Sequence, residues 1–314
     1  MVHGLHDGPI MNRWVIGARV QTLPAAVVPV ALGAAVAVGM PRGLWWSSGD
    51  EASGVGAIGP VWWRVALALV VSLALQVAVN YANDYSDGVK GTDDVRVGPT
   101  RLVASGLASA RSVKLAAYAA FGVAGVAGLV LAVATSWWLL VVGAVSMLAG
   151  WGYTGGPKPY GYLGLGELFV FVFFGLVATV GTTYVAVETI TWHAIVSGCI
   201  AGALACALLV INNLRDIPTD REVGKRTLAV RIGDQATRWL FVGLLVGSFV
   251  GIGVLAAWRP LGLIGLLAVP LAVGPARTVL GGATGAALIP VLGATGKVQL
   301  AAGILTAVGL GFGA

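Results

Sequence analysis

Two short stretches of the sequence bring carboxylate and amide side chains together. The first reads NYANDYSDGVKGTDD and contains Asn83, Asp84 and Asp87, followed by Asp93 and Asp94. Asn83 and Asp87 are four residues apart, so a continuing helix would present both on one face. Carboxylates crowded in this way repel one another unless a cation lies among them, and hard oxygen ligands favour Mg²⁺. This stretch therefore predicts a Mg²⁺ site.

The second stretch repeats the chemistry about 130 residues later. It reads NNLRDIPTDREVGKRT, and Asp216 and Asp220 again have the four-residue spacing. Pro218 lies between them and disfavours helical geometry at Ile217, so we expect the helix to break there. The two carboxylates then need not share one helix face.

Basic residues accompany both acidic stretches. Arginine offers a bidentate fork to phosphate and lysine a mobile point charge. The candidates for an anion are Arg96, Arg101, Lys158, Arg215, Lys225 and Arg226. Any one of them could be an ordinary positive residue beside a membrane, and one acidic group alone could be a solvated helix end. Two matching clusters instead favour a site for a metal-bridged polyanion, and a diphosphate fits best.

A turn-rich segment between the clusters adds aromatic groups. It runs YTGGPKPYGY from Tyr153 to Tyr162. Its tyrosines could be interfacial residues, or they could line an apolar chain or an aromatic acceptor. Glu167 follows, and its carboxylate fits either a base or an interfacial residue.

The composition indicates that lipid surrounds the elements that must position these residues. The 314-residue chain is 58% hydrophobic and 10% charged, against about 25% charged in soluble domains. Nine apolar segments are predicted to span the membrane: 15–39, 61–83, 113–133, 136–152, 163–187, 192–213, 238–257, 260–275 and 297–314. The stretch 276–295 could be a loop, a short helix or part of a span.

The net charge of +6 would suggest nucleic acid in a soluble protein, but here it reports topology. With a cytoplasmic N-terminus, 16 of the 19 basic residues fall in inside segments, because only Arg42, Arg64 and Arg259 lie outside. Both acidic clusters then face the cytoplasm. We predict a single membrane-embedded domain, 1–314, with two similar halves at about 1–150 and 151–314, and no nucleic-acid partner.

Five strings resemble the UbiA-type intramembrane aromatic prenyltransferases, and within them the menaquinone branch. They cover 83–94, 96–106, 153–167, 212–233 and 289–300. Asn83-Asp84-x-x-Asp87 is similar to the first metal motif of that family and Asp216-x-x-x-Asp220 to the second. The resemblance implies nine transmembrane helices around a central cavity that opens sideways to lipid, in the cell membrane. It also implies Mg²⁺-assisted transfer of a polyprenyl group from its diphosphate to 1,4-dihydroxy-2-naphthoate, with loss of CO₂, giving demethylmenaquinone.

The resemblance also assigns roles to individual residues. Mg²⁺ ligands would be Asn83, Asp87, Asp216 and Asp220, with Asp84 and Asp93 as supporting or direct ligands. Lys158, Arg101, Arg215, Lys225 and Arg226 would serve the diphosphate, and Tyr153 and Tyr160 the acceptor or the allylic carbon; Lys158, Tyr153 and Arg215 are the expected catalytic groups. Arg19 sits in a pattern similar to the family's early Arg-x-x-Thr-x-Pro.

One departure from the family is Gly91, which replaces an expected third aspartate and makes Asp93 the substitute. Two alternatives stay open at this stage. The chain could be a family member with another aromatic acceptor, or a secondary transporter with intramembrane acids, although acids at the inner ends of spans argue against transport.

Overall fold

The computed structural model describes residues 12–40, 59–91 and 100–314. Asp93 and Arg96 lie outside these ranges. The described residues form helices and no strand. The α-helices are α1 (Arg13–Ala18), α2 (Pro24–Ala37), α3 (Trp62–Lys90), α4 (Ala110–Ala134), α5 (Trp138–Gly152), α6 (Gly166–Val170), α7 (Ala178–Val187), α8 (Trp192–Glu222), α9 (Leu228–Ala256), α10 (Val269–Leu280) and α11 (Ile289–Phe312).

Shorter helical pieces connect several of them. A π-helical stretch, Phe171–Val177, joins α6 to α7 in one continuous segment. Short 3₁₀ helices cover Val20–Thr22, Tyr160–Leu163, Pro260–Ala268 and Gly285–Leu288. The undecided stretch 276–295 therefore holds the end of α10, a turn, a 3₁₀ helix and the start of α11.

The prediction of an all-α, polytopic membrane protein is confirmed. Seven helical segments of the described residues are long and apolar enough to cross a bilayer, and the bent pair α1–α2 makes an eighth if it crosses as one span. Helix α5 has 15 residues, fewer than the roughly 20 that a span needs. Each of the nine predicted segments coincides with helix, while nine crossings stay a prediction.

Helix α8 forms the centre of the bundle, because most of its apolar length is buried inside the protein. It packs against α9, the π-helical stretch, α2 and α11. Glycines permit the closest approach: a Cβ built on Gly175 would lie 2.5 Å from the Cα of Gly202. Such contacts let apolar helices associate in lipid by backbone proximity rather than by hydrophobic burial.

The expected helix break at Pro218 is wrong, because α8 continues through Pro218 to Glu222. Pro218 lacks the N–H that would bond the Leu214 carbonyl, but this removes one helical hydrogen bond and the remaining bonds carry α8 to Glu222. In the same turn the Thr219 hydroxyl donates to the Asp216 carbonyl at 3.1 Å. Asp216 and Asp220 therefore do share a helix face.

Helix α3 continues through the first acidic stretch to Lys90, as the spacing predicted. It ends at Gly91, which has a left-handed conformation with φ of 70° and donates its N–H to the Asp87 carbonyl. Glycine adopts this conformation at little cost, whereas an aspartate would be strained. This geometry explains why glycine stands where the family resemblance suggests a third aspartate.

Candidate functional site

The ends of α3 and α8 meet at one end of the bundle and line a common cavity of about 1090 Å³. Its walls include Asn83, Asp87, Asp216 and Asp220, which are four of the six predicted Mg²⁺ ligands. Arg101, Arg19 and Lys225 also face it. The fold therefore brings together two sequence stretches that lie about 130 residues apart.

Asp87 contacts a phenol and a cation from distant parts of the chain. Its Oδ1 accepts a hydrogen bond of 2.6 Å from the Tyr162 hydroxyl and lies 3.3 Å from the Lys225 ammonium. Two cations lie near the Tyr162 ring, with Lys225 Nζ 4.7 Å and Lys90 Nζ 5.1 Å from its centroid. A nearby cation over an aromatic ring is attracted by the ring face. Asp87 thus sits in a small array of cations and one phenol.

Asp84 has a different environment from Asp87, although both are on α3. Its carboxylate accepts the backbone N–H groups of Leu102 at 2.8 Å and Val103 at 3.0 Å, and its side chain is fully buried. It does not line the cavity. The geometry favours the supporting role over the direct metal role for Asp84, because it anchors the segment that carries Arg101.

At the end of α8, both carboxylates contact residues that are close to them in the chain. Asp216 receives a bidentate pair of bonds from the Arg215 guanidinium, 2.7 Å to Oδ1 and 2.8 Å to Oδ2. Asp220 accepts from the Thr227 hydroxyl at 3.4 Å, and its carbonyl accepts the Lys225 N–H at 2.8 Å. This last bond fixes the turn that directs Lys225 towards Asp87.

The segment from Tyr153 to Leu163 closes over the first cluster. The Thr154 hydroxyl donates to Asn83 Oδ1 at 2.8 Å, and Lys90 Nζ donates to the Thr154 carbonyl at 2.7 Å. Lys90, the last residue of α3, also donates to the Gly156 carbonyl. These contacts tie the segment from Tyr153 to Leu163 to the end of α3.

Tyr160 and Tyr153 form an aromatic wall of the cavity. The Tyr160 hydroxyl donates to the Ala149 carbonyl at 2.8 Å, and its ring stacks on Phe169 with centroids 3.9 Å apart. Burial raises the pKa of Tyr160, so the phenol stays neutral. Tyr153 meets the Tyr160 ring edge-on at 5.6 Å. Both rings suit contact with an apolar or aromatic substrate.

Three of the residues predicted to bind the diphosphate do not line the cavity. Lys158 and Arg226 are exposed on loops, and the Arg215 side chain is buried in its pair with Asp216. Their proposed contacts with a diphosphate have no support from this arrangement and stay predictions. Asp93 is outside the described residues.

Several site residues escaped the sequence reasoning. Tyr162 donates to Asp87 and Thr154 to Asn83. Lys90 donates to the Thr154 carbonyl, and Asn213 donates to Glu167 Oε1 at 2.8 Å on the cavity side of α8. Tyr162 belonged to the aromatic segment already noted, but nothing in its spacing connects it with Asp87. The Asn213 contact also gives Glu167 a role in orienting an amide.

The donor chemistry fits a hard cation. Among the described residues, the cavity wall contains amide and carboxylate oxygens but no histidine or cysteine. No three histidine, cysteine, aspartate or glutamate side chains lie close enough in that part of the chain to form a compact metal cage. Mg²⁺ commonly uses one or two carboxylates and completes its shell with water and phosphate oxygens, so an open, shared site of this type remains suitable.

Beyond the polar end, the cavity continues as an apolar arm between helices. Its walls come from α3, α4, α5 and the segment Gly166–Val187. It reaches Ala68 on α3 and Val185 on α7, near the opposite end of the bundle. One cavity thus joins a charged mouth to a long apolar interior.

Comparisons with known proteins agree with this architecture. Residues 26–286 match the UbiA prenyltransferase family. The chain is 48% identical to the 1,4-dihydroxy-2-naphthoate octaprenyltransferase of Mycobacterium tuberculosis, covering 96% of this chain and 97% of the relative. It is 36% identical to the protein of the same name from Escherichia coli, covering 95% and 94%.

Solved structures show the same fold at low sequence identity. A UbiA homologue from Archaeoglobus fulgidus, bound to GPP and Mg²⁺, superposes with a TM-score of 0.61 at 12% identity, covering 95% of this chain and 100% of that one. The family match, the curated relatives and the shared fold lead to one conclusion: this chain belongs to the UbiA prenyltransferase family and is an integral membrane prenyltransferase.

Proposed function

We propose that this enzyme transfers a polyprenyl group from its diphosphate to 1,4-dihydroxy-2-naphthoate, with loss of diphosphate and CO₂, to give demethylmenaquinone. The proposal rests on one observation: the ends of α3 and α8, with their asparagine and aspartate side chains, lie together with Lys225 and Arg101 at the mouth of a long apolar cavity. The names of relatives that match nearly the whole chain support the acceptor.

Asn83, Asp87, Asp216 and Asp220 would hold Mg²⁺ together with the diphosphate. When bound, Mg²⁺ neutralises charge that develops on the departing diphosphate. Lys225 and Arg101 would add positive charge at the same mouth, where oriented cations stabilise a leaving anion. The 3.3 Å contact between Lys225 and Asp87 keeps that lysine beside the metal motif before substrate arrives.

The apolar arm and the tyrosine wall would serve the carbon chemistry. Breaking the allylic C–O bond leaves an electron-poor carbon that water would capture, so a dry cavity protects it. The ring carbon that carries the carboxylate forms the new C–C bond, and CO₂ then leaves with its bonding electrons returned to the ring. Tyr153 and Tyr160 present neutral rings that can flank the allylic group and the naphthoate.

We also propose that the site faces the cytoplasm across the plasma membrane. Lys90, Arg101, Arg215 and Lys225 lie at the site end, whereas Arg64 and Arg259 lie at the other end beside Glu188 and the carbonyl of Leu310. Excess basic residues mark the cytoplasmic side of membrane proteins. Labelling of single cysteines introduced at Lys158 and Trp137 in intact cells tests this, and preferential external labelling at Lys158 would contradict it.

An acceptor panel tests the reaction. The purified protein in detergent is incubated with Mg²⁺, a polyprenyl diphosphate and either 1,4-dihydroxy-2-naphthoate, its non-carboxylated analogue or 4-hydroxybenzoate, and products are identified by mass spectrometry. We expect a prenylated, decarboxylated naphthalene product that disappears with EDTA. Robust prenylation of 4-hydroxybenzoate but not of the naphthoate would overturn the acceptor assignment. Turnover without a membrane gradient separates this enzyme from a transporter.

A further inference from the structure

Close helix approach accounts for some glycines of the described membrane helices but not for others. Gly175, Gly202 and Gly303 lie at helix contacts, where a built Cβ would come within 3.0 Å of a neighbouring atom. Gly128 on α4, Gly143 on α5 and Gly181 on α7 instead meet no atom within 4 Å of a built Cβ. Close helix approach therefore accounts for the first group and not for the second.

Other open glycines, such as Gly122, Gly247 and Gly274, do not line the cavity, whereas these three share one location. They come from three different helices, yet all of them line the apolar arm of the cavity whose mouth carries Asp87 and Asp216. A side chain at any of the three would project into the arm rather than into a packed interface. Glycine in a helix costs roughly 1 kcal/mol relative to alanine. At these positions its effect is to keep the arm wide.

Contacts between neighbouring helices give the depth of these glycines below the mouth. A Cβ on Gly150 of α5 would touch Val79 of α3 at 2.9 Å, which sets the two helices level at those residues. Counting along the helices at about 1.5 Å per residue puts Gly143 on the order of 22 Å from Asp87.

The other two glycines are located in the same way. A Cβ on Gly125 would lie 3.4 Å from Met147, so Gly128 on α4 is nearly level with Gly143 on α5. At the opposite end, the Val61 N–H donates to the Ala186 carbonyl, and Gly181 lies five residues before Ala186. Gly181 is therefore deeper, on the order of 30 Å from Asp87 by the same count.

We infer that Gly128, Gly143 and Gly181 determine how long a prenyl chain this enzyme accepts, with Gly128 and Gly143 leaving room at one level of the arm and Gly181 at a deeper one. This inference rests on the proposed prenyl diphosphate site. A chain whose diphosphate is held near Asp87 must pass the Gly128–Gly143 level before it reaches Gly181. Bulk at the shallower level should therefore exclude more of a long chain than bulk at the deeper level.

The test compares leucine substitutions with a matched control on the same helix. Gly122 on α4 is exposed, meets no atom within 4 Å of a built Cβ and does not line the cavity, so Gly122→Leu controls for loss of a helical glycine. For each variant, kcat/KM is measured with farnesyl diphosphate and with octaprenyl diphosphate. Gly143→Leu and Gly128→Leu should lower the octaprenyl-to-farnesyl ratio by at least about tenfold, a typical penalty for bulk in an apolar pocket.

The expected ranking makes the experiment decisive. Gly181→Leu should lower the ratio by a smaller factor, and Gly122→Leu should leave it unchanged. Equal ratios in all four variants would overturn the inference, because they would mean that long chains leave the cavity sideways before reaching these glycines. If a leucine variant fails to fold, the double variant Gly128→Ala/Gly143→Ala adds less bulk and should shift the ratio in the same direction.

A binding measurement separates this inference from the proposed reaction. Thermal stabilisation of the protein by farnesyl and octaprenyl diphosphates with Mg²⁺, without any acceptor, reports chain fit alone. Selective loss of octaprenyl stabilisation in Gly143→Leu supports the chain-length role even if the acceptor is not the naphthoate. No stabilisation of the unsubstituted protein by either diphosphate would instead contradict the donor site itself.

Discussion

The ends of α3 and α8 carry similar acidic patterns, but the fold uses them differently. At the end of α3, the carboxylates contact distant parts of the chain: Asp84 binds the backbone at Leu102 and Val103, and Asp87 binds Tyr162. At the end of α8, Asp216 pairs with its neighbour Arg215. The first end thus organises the loops around the cavity, and the second end carries its own counter-charge.

Similar spacing therefore does not give acidic residues the same role. Asp84 and Asp87 are three residues apart, yet Asp84 accepts backbone N–H groups and Asp87 faces the cavity beside Lys225. Whether loss of a carboxylate lowers activity or stability should depend on which partner then remains unpaired. Substitutions at the two helix ends separate loss of activity from loss of stability.

The largest expected effect comes from the cavity-facing carboxylates. Asp87→Asn should lower prenyl transfer by roughly a thousandfold, because it weakens the metal site and leaves Lys225 without its charge partner. Asp216→Asn should cause a comparable loss and, in addition, cost about 3 kcal/mol of stability, because the buried Arg215 would lose its partner. Turnover assays at saturating Mg²⁺ and thermal unfolding measure the two quantities. Near-normal turnover in either variant would refute the metal assignment.

The next effect should appear in stability more than in chemistry. Asp84→Ala removes the acceptor for two backbone N–H groups, which should cost about 1 to 3 kcal/mol each where no water replaces it. We expect a lower unfolding temperature, with activity per folded molecule reduced far less than in Asp87→Asn. If Asp84→Ala instead unfolds normally but is inactive, Asp84 is a direct ligand and the contrast within α3 is wrong.

A smaller effect is expected from the phenol that contacts Asp87. Tyr162→Phe keeps the ring beside Lys90 and Lys225 but removes the 2.6 Å hydrogen bond to Asp87. Hydrogen bonds to charged groups contribute about 1.5 to 3 kcal/mol, so kcat/KM should fall roughly ten- to hundredfold. Tyr160→Phe is the matched control for the loss of one phenol, because its hydroxyl bonds the Ala149 carbonyl instead. Equal losses in both variants would argue against a specific role for Tyr162.

The smallest effect should come from Pro218. Since α8 already passes through this residue, Pro218→Ala should change activity by less than about twofold, as expected for an exposed position with no side-chain partner. Circular dichroism should show no loss of helix. A large drop in activity would show that proline itself sets the direction of Asp220, and the two acidic ends would then differ in backbone as well as in partners.

Much of the site could be predicted because its signals are local. The i, i+4 spacing of Asn83 and Asp87 placed both oxygens on one face, and the structure brings that face to the cavity. The helix break predicted at Ile217 is wrong, because one proline removes one hydrogen bond and the remaining bonds near the end of α8 preserve the helix. Positive charge near the segments that resemble the family predicts Lys158 and Arg226 as diphosphate ligands, but charge alone does not report the direction in which a loop side chain points.

Composition and helical spacing are enough to predict an α-helical membrane protein with two acidic clusters, because both depend only on residue type and order. Three-dimensional packing is needed to show that Asp84 supports a loop, that Tyr162 and Lys225 converge on Asp87, and that three glycines face a cavity rather than a helix. Those relations join residues that are distant in the chain, and packing in three dimensions alone brings them into contact.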